Sequence, residues 1–318
     1  MSIDKLSGVS WTSISKVDGV AVANISKVAG VEVPVDYFLD TYSGSVAAYS
    51  LRKLSSTATT AITVENSSGT TADIGFDSNG DLDTAALTSH CGSNYGRISR
   101  WWDQSGNSNH MEQSTASSRP YIVNASGNII TTSTNSNPTI DFYFSSTARW
   151  LSDTFSSNNG DHFVLSYMGE YRSVTIAQQL ISQWTSSAST QTFQTAIMGA
   201  VQKLRLAARY SNASNNLGRA DTTGTVSANT EYVVVGYMSA SPYTGDIDVN
   251  GDTATTLTGF PTSGNLRTAS AGITIGRRHD NGANQYTGYL SEVIIWSDTT
   301  LPDRDNVMTD TKSYYSIT

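Results

Sequence analysis

Lys203-Leu204-Arg205-Leu206-Ala207-Ala208-Arg209-Tyr210 decides the fold class. Leu204, Leu206, Ala208 and Tyr210 fall on one side of a period of two. Lys203, Arg205, Ala207 and Arg209 fall on the other, which is the pattern of a strand with one buried and one wet face. Outward from this stretch the same kind of signal predicts strands over 140–144, 162–168, 180–184, 231–238, 272–276 and 288–296. Asp246-Ile247-Asp248-Val249 runs into Asn250-Gly251, a type I′ hairpin signal that places Ile247 and Val249 inward. The Val233-Val234-Val235 and Val293-Ile294-Ile295 runs predict strands covered on both faces. Only two helices are expected. One is short, over 83–89, and the other is C-terminal, opening at Leu301-Pro302-Asp303 with Val307, Met308, Thr311, Tyr314 and Tyr315 as its buried face. Many short strands between turn residues predict an all-β sandwich of jelly-roll type.

Composition narrows the function classes. The 318 residues carry a formal net charge of -8, and only 14% are charged. Phosphate binding requires clustered Lys and Arg, so no nucleic-acid partner is expected. Cys91 stands alone, which excludes an internal disulfide and leaves no Cys/His spacing for zinc. No run of about eighteen apolar residues occurs, so no membrane insertion is expected. The N-terminus shows no secretory signal, and the expectation is a chain made in a cytoplasm.

The N-terminus writes one phrase three times: Ile3-Asp4-Lys5-Leu6-Ser7-Gly8-Val9, Ile14-Ser15-Lys16-Val17-Asp18-Gly19-Val20 and Ile25-Ser26-Lys27-Val28-Ala29-Gly30-Val31. A glycine in every unit beside β-branched residues favours short strands joined by tight turns over an eleven-residue helical coil. This divides the chain into a repeat arm over 1–36 and a jelly-roll domain over 37–318. Two uses of the arm stand open. Its strands pair with a neighbouring subunit or scaffold, or they form edge strands of the main domain. In the first case the interface is Ile3, Leu6, Trp11, Ile14, Val17, Val20, Ile25, Val28 and Val31, and the protein is a homo-oligomer or locked to a lattice.

Within the domain, Trp102-Asp103-Gln104-Ser105-Gly106-Asn107-Ser108-Asn109-His110 is the most distinctive string, its small polar residues suiting a tight loop in which Asp103 and the Asn side chains satisfy backbone groups. Together with Asp73-Ile74-Gly75-Phe76 and Leu82-Asp83-Thr84-Ala85-Ala86-Leu87, it resembles a motif series of concanavalin A-like (laminin G-like) domains. That series occurs in the catalytic domain of the family 54 α-L-arabinofuranosidases and in structural proteins of tailed bacteriophages, marine ones especially. The late segments Glu231–Tyr237, Asp248–Gly251, Ile275–Arg278 and Gly288–Trp296 look like successive strands of the same jelly roll.

The phage resemblance, which includes the Ile-Ser-Lys-Val-x-Gly-Val phrases, implies a virion structural protein: capsid decoration or cement, or a head or tail fibre. Its implied partners are other virion proteins, the major capsid or tail proteins, with host-surface polysaccharide as a ligand. The glycan-binding residues expected on that reading are Trp102, Asp103, Asn107, Asn109, Arg278 and Asp280, since aromatic faces and amides in sandwich loops suit hydroxyl-rich ligands. The hydrolase resemblance implies instead a retaining glycosidase with two carboxyl groups about 5 to 5.5 Å apart. Glu170, Asp161, Asp103, Asp141, Asp280 and Glu292 are its candidates, and no motif selects a pair among them. A free lectin is the third reading. Asp77, Asn79 and Asp81 alternate oxygen ligands as a calcium loop does, although Leu82 stands where such a loop needs glycine.

Overall fold

The computed structural model describes residues 36–143, 147–153, 155, 162–184, 191–211, 216–252, 255–267, 272–279, 284–297 and 301–318, together with the backbone of short strands in the N-terminal arm. The alternating stretch that opened the reading forms the strand Lys203–Arg209. Leu204, Leu206, Ala208 and Tyr210 are all buried in the main core. The opposite face is drier than the sequence pattern implies. Ala207 is fully buried, and Arg205 is held in a two-bond pair with Asp221 of the next strand.

One layer of the sandwich runs Ser45–Ser50, Gly288–Ser297, His162–Tyr171, Glu231–Ala240 and Tyr243–Val249, each antiparallel to the next. The other runs from Thr71–Ile74 through Ile62–Asn66 and Gly96–Trp101 to the short strands Met111–Glu112 and Leu151–Ser152. It continues through Thr274–Ile275, Gln178–Ser182, Phe193–Met198, Lys203–Arg209, Leu217–Thr222 and Thr255–Thr258. Tyr121–Val123 and Ile140–Asp141 bridge the two layers at one edge, because the first pairs with Gly96–Trp101 and the second with Gly288–Ser297.

Side chains alternate across a strand, so the long strands of the first layer feed two cores. Leu165, Tyr167, Val234, Val293 and Ile295 point between the layers. Val164, Met168, Val233, Val235, Ile294 and Trp296 point the other way, beneath Phe38, Leu39 and Tyr42 from the segment after the arm and Val307, Met308 and Tyr315 from the C-terminal helix. The continuous valine and isoleucine runs are explained by this second cover. Each fully buried side chain of this size contributes about 1.5–3 kcal/mol relative to exposure.

Two expectations are corrected. The Asn250–Gly251 turn forms as read, with φ of 54° and 93° and Val249 opposite Asp252. The strand that follows, Thr255–Thr258, then leaves the hairpin and pairs with Leu217–Thr222, where it extends the other layer. The C-terminal helix Arg304–Tyr315 buries Val307, Met308, Thr311 and Tyr315, whereas Tyr314 is 39% exposed. Asp303 caps the helix by accepting from the amides of Asp305 and Asn306, and Lys312 Nζ donates to Asn250 O at 2.7 Å, clasping it to the turn.

In the arm, each repeat forms its own two-stranded ladder: Lys5–Leu6 with Val9–Ser10, Lys16–Val17 with Val20–Ala21, and Lys27–Val28 with Val31–Glu32. Leu6 lies opposite Val9, Val17 opposite Val20 and Val28 opposite Val31, so the register is the same three times. Among the described residues none of these strands joins the main sheet. Ile3, Trp11, Ile14 and Ile25 lie outside the described residues.

Candidate functional site

The Trp102–His110 string divides into two roles. Asp103 is structural. Its Oδ1 accepts from the amides of Ala48 (2.8 Å) and Ser105 (2.9 Å), and its Oδ2 accepts from Ser105 Oγ (2.8 Å) and the Asn109 amide (2.9 Å). Gln104 bonds the amide of Leu54 and the carbonyls of Ser50 and Arg52. Asn107 and Asn109 donate to the carbonyls of Ser45 and Val46. These side chains fasten the loop to the Ser45–Ser50 strand, with the Asp103 carboxylate and the amide nitrogens of Asn107 and Asn109 committed to it.

Trp102, by contrast, lines a groove of about 400 Å³ on the outer face of the neighbouring strands. Residues directly opposite across a ladder share a face. Asp73, Thr63, Arg100, Glu112 and Ser152 therefore form one row, each opposite the next on successive strands. Trp102 Nε1 donates to Thr63 Oγ1 at 2.9 Å, and Thr63 Oγ1 donates in turn to Asp73 Oδ1 at 2.5 Å. The indole is flanked by the His110 ring at 4.5 Å and the Arg100 guanidinium at 4.7 Å. Arg100 pairs with Glu112, and Arg119 on the rim pairs with Glu65 at 2.6 Å. A mixture of carboxylates, hydroxyls, an amide and guanidinium groups on a shallow floor can both donate to and accept from a ligand's hydroxyl groups.

His110 supports this wall. Its Nδ1 accepts from the Asp103 amide at 3.1 Å, which requires the neutral ring. Burial, aided by the Arg100 guanidinium, lowers its pKa below the ordinary 6.5.

The carboxylates considered for hydrolysis are placed as follows. Asp161 and Asp280 lie outside the described residues. Glu292 is fully buried and takes both arms of Arg52 at 2.7 and 2.8 Å, with Ser50 Oγ at 2.8 Å. Asp141 pairs with Arg172 at 3.2 Å, and burial raises its pKa despite that neighbour. Glu170 lies directly opposite Glu231, a residue the sequence reading did not single out. Cross-strand neighbours have Cβ atoms about 4.5–5.5 Å apart, so the two glutamates stand side by side on one face of the sheet. Both are closed off: they are 1% and 4% exposed, and their oxygens accept the amides of Ser133, Thr134 and Asn135.

A second cleft of about 380 Å³ lies between the end of the C-terminal helix and the 77–84 segment, with Arg52, Asp77, Asp81, Tyr314 and Tyr315 in its wall. Asp77 Oδ1 accepts from the amides of Asn79 and Asp81, while Asp81 accepts from Tyr314 Oη. The alternating oxygens proposed as calcium ligands therefore build a turn. No group of three or more His, Cys, Asp or Glu among the described residues is arranged to hold a metal. Arg278, the remaining glycan candidate, follows Arg277 just beyond the strand Thr274–Ile275.

This architecture recurs in solved structures. An arabinofuranosidase complexed with arabinofuranosyl-α-1,2-xylobiose superposes with a TM-score of 0.56 at 14% identity, covering 86% of this chain and 62% of the enzyme. A family 54 α-L-arabinofuranosidase soaked with a cyclic sulfate inhibitor gives 0.55 at 15% identity, with the same coverage of both chains. The chain thus spans about three fifths of the length of these enzymes, 62%. A heptameric pentraxin from Limulus polyphemus matches at a TM-score of 0.42 and 15% identity, covering 54% of this chain and 80% of the pentraxin. No protein-family model matches the sequence, and no curated protein matches it. The all-β sandwich expected from the sequence is the observed fold, and it is shared with these arabinofuranosidase structures.

Proposed function

We propose that this chain is a structural protein of a tailed-bacteriophage particle, docked through its N-terminal arm and displaying a glycan-adsorbing sandwich that performs no chemical step. One observation carries the glycan part of the reading: the Asp73–Thr63–Arg100–Glu112 row with Trp102 and Arg119 makes an open groove of about 400 Å³ rich in groups that match sugar hydroxyls. The particle part rests on the resemblance of the repeat phrases to phage proteins. It is supported by three ladders in identical register, which leave strand edges available to a neighbouring virion protein.

The absence of a chemical step is supported by the carboxylates. Glu170, Glu231, Glu292 and Asp103 are all committed to hydrogen bonds inside the protein. Two measurements test the reading. Full-length protein is screened on a glycan array beside Ser114→Trp, which places an indole at an exposed position on the groove rim. Binding that this variant abolishes is expected, and binding that it leaves intact overturns the groove assignment. Sedimentation with assembled particles, lost on deletion of residues 1–36, is expected of the arm. Retention of the deleted protein on particles overturns the docking role.

A further inference from the structure

The groove does not end at Arg119. Arg119 Nε donates to the carbonyl of Gln113 at 2.8 Å, and Gln113 Nε2 donates to the carbonyl of Trp150 at 3.1 Å. Over the Trp150 ring lies the Arg277 guanidinium, 3.8 Å from the ring centre. Arg149, the residue before Trp150, stacks on Tyr121 at 4.6 Å. Tyr121 is directly opposite Arg97, whose guanidinium reaches Glu65 at 3.1 Å beside Arg119. The row continues from Tyr121 to Asp141 and from Asp141 to Tyr289, where Arg172 stacks at 4.4 Å.

Gly276 is what lets Arg277 come so close to this group. Its φ is +101°, and a Cβ there would lie 2.6 Å from the Arg149 carbonyl oxygen, so only glycine permits this approach. The two backbones meet at that point, with Arg149 stacked on Tyr121 and Arg277 on Trp150.

The charge balance of this face differs from that of the molecule. On a chain of net charge -8 it gathers Arg97, Arg100, Arg119, Arg149, Arg172 and Arg277 against Glu65, Asp73, Glu112 and Asp141. Four of the arginines are paired. Among the described residues Arg149 and Arg277 form no ion pair; Arg149 Nη1 donates to the Tyr143 carbonyl, and the Nε atom of each arginine is buried without an acceptor. A guanidinium stacked on an aromatic ring is held planar and weakly hydrated, which suits two-bond recognition of a carboxylate or sulfate.

We propose that the groove and the adjoining arginine–aromatic row form one track for an acidic polysaccharide, with its anionic groups taken by Arg149 and Arg277 and its hydroxyls by the groove. This rests on the glycan-binding reading of the groove and names the ligand class for it. Burial lowers the Arg277 pKa, as expected of a desolvated cation that an anionic ligand would compensate.

The test is titration of the full chain with polygalacturonate, dextran sulfate and unsubstituted dextran at low and moderate salt. Three variants accompany it: Arg149→Gln with Arg277→Gln, Ser114→Trp, and Lys203→Gln as a cation outside the track. One or both polyanions are expected to bind at least about tenfold tighter than dextran, more weakly as salt rises, with the gap between the two showing whether carboxylate or sulfate is preferred. The double arginine variant is expected to lose about that tenfold while its dextran binding and its circular dichroism stay unchanged. Equal binding of dextran and both polyanions overturns the track and leaves the groove reading in place. So does an unchanged double variant, or an equal loss in Lys203→Gln. Absence of binding to all three polymers overturns both.

Discussion

At the residue scale, Asp103 and His110 show how one short string serves both scaffold and site. Asp103 accepts four hydrogen bonds, three of them from backbone amides, Ala48 on the strand and Ser105 and Asn109 in the loop. Asp103→Ala should lower unfolding stability by about 3 kcal/mol, since it leaves buried donors without acceptors, and urea denaturation reads the loss. His110 makes stability depend on pH with a definite sign. Its folded pKa lies below the ordinary 6.5, so the unfolded chain binds the proton more readily. The contribution is complete above about pH 6.5 and is lost as pH falls from there toward the folded value. His110→Gln, which cannot titrate, should flatten the stability curve over that window, and an unchanged slope in thermal melts would contradict the assignment. The sequence singled out Trp102 and its neighbours correctly as a distinctive loop. Asp103 and the Asn side chains satisfy backbone groups, as the loop's composition predicts, but that the backbone is partly that of the Ser45–Ser50 strand was not legible, because that contact spans more than fifty residues of chain.

At the scale of elements, the groove was hidden by a bulge. Strict alternation from the buried Ile98 would bury Arg100 and expose Trp101. A register shift between Ile98 and Arg100 reverses the parity, so that Trp101 is fully buried and Arg100 joins the outward row with Thr63 and Glu112. A bulge leaves little trace in a single sequence, and for that reason Asp73, Thr63, Arg100, Glu112 and Arg119 went unread as a site. The C-terminal helix was legible, because its Pro302 and Asp303 start signal and its apolar spacing are local. Its cap is a direct test. Asp303→Ala should cost about 1 kcal/mol, with the two amides it serves left to water. Met308→Ala, which opens the core beneath the helix, should cost about 2–5 kcal/mol by the same denaturation measurement.

At the scale of the whole molecule, the long strands explain why a sandwich without disulfides holds together: the first layer is buried on both faces, between the second layer and the helix with the 38–42 segment. The arm contributes no described ladder to that sheet. Deleting residues 1–36 should therefore leave the thermal midpoint within about 2–4 °C of the full chain, the shift that ~1 kcal/mol produces in a domain of this size. A larger fall, read by circular dichroism, would return the repeats to the role of edge strands. The charge asymmetry belongs to this scale too. An arginine-rich face on an acidic protein orients an anionic polymer before contact and makes association depend on salt.

Binding and turnover followed in one sample test the account most directly. Full-length protein is titrated with polygalacturonate and arabinan while released reducing sugar and nitrophenyl arabinoside cleavage are recorded. Saturable binding that Ser114→Trp abolishes, with no sugar released, is the predicted result. Sugar release that Glu170→Gln or Glu231→Gln abolishes would contradict it and make the occluded carboxylate pair the working site.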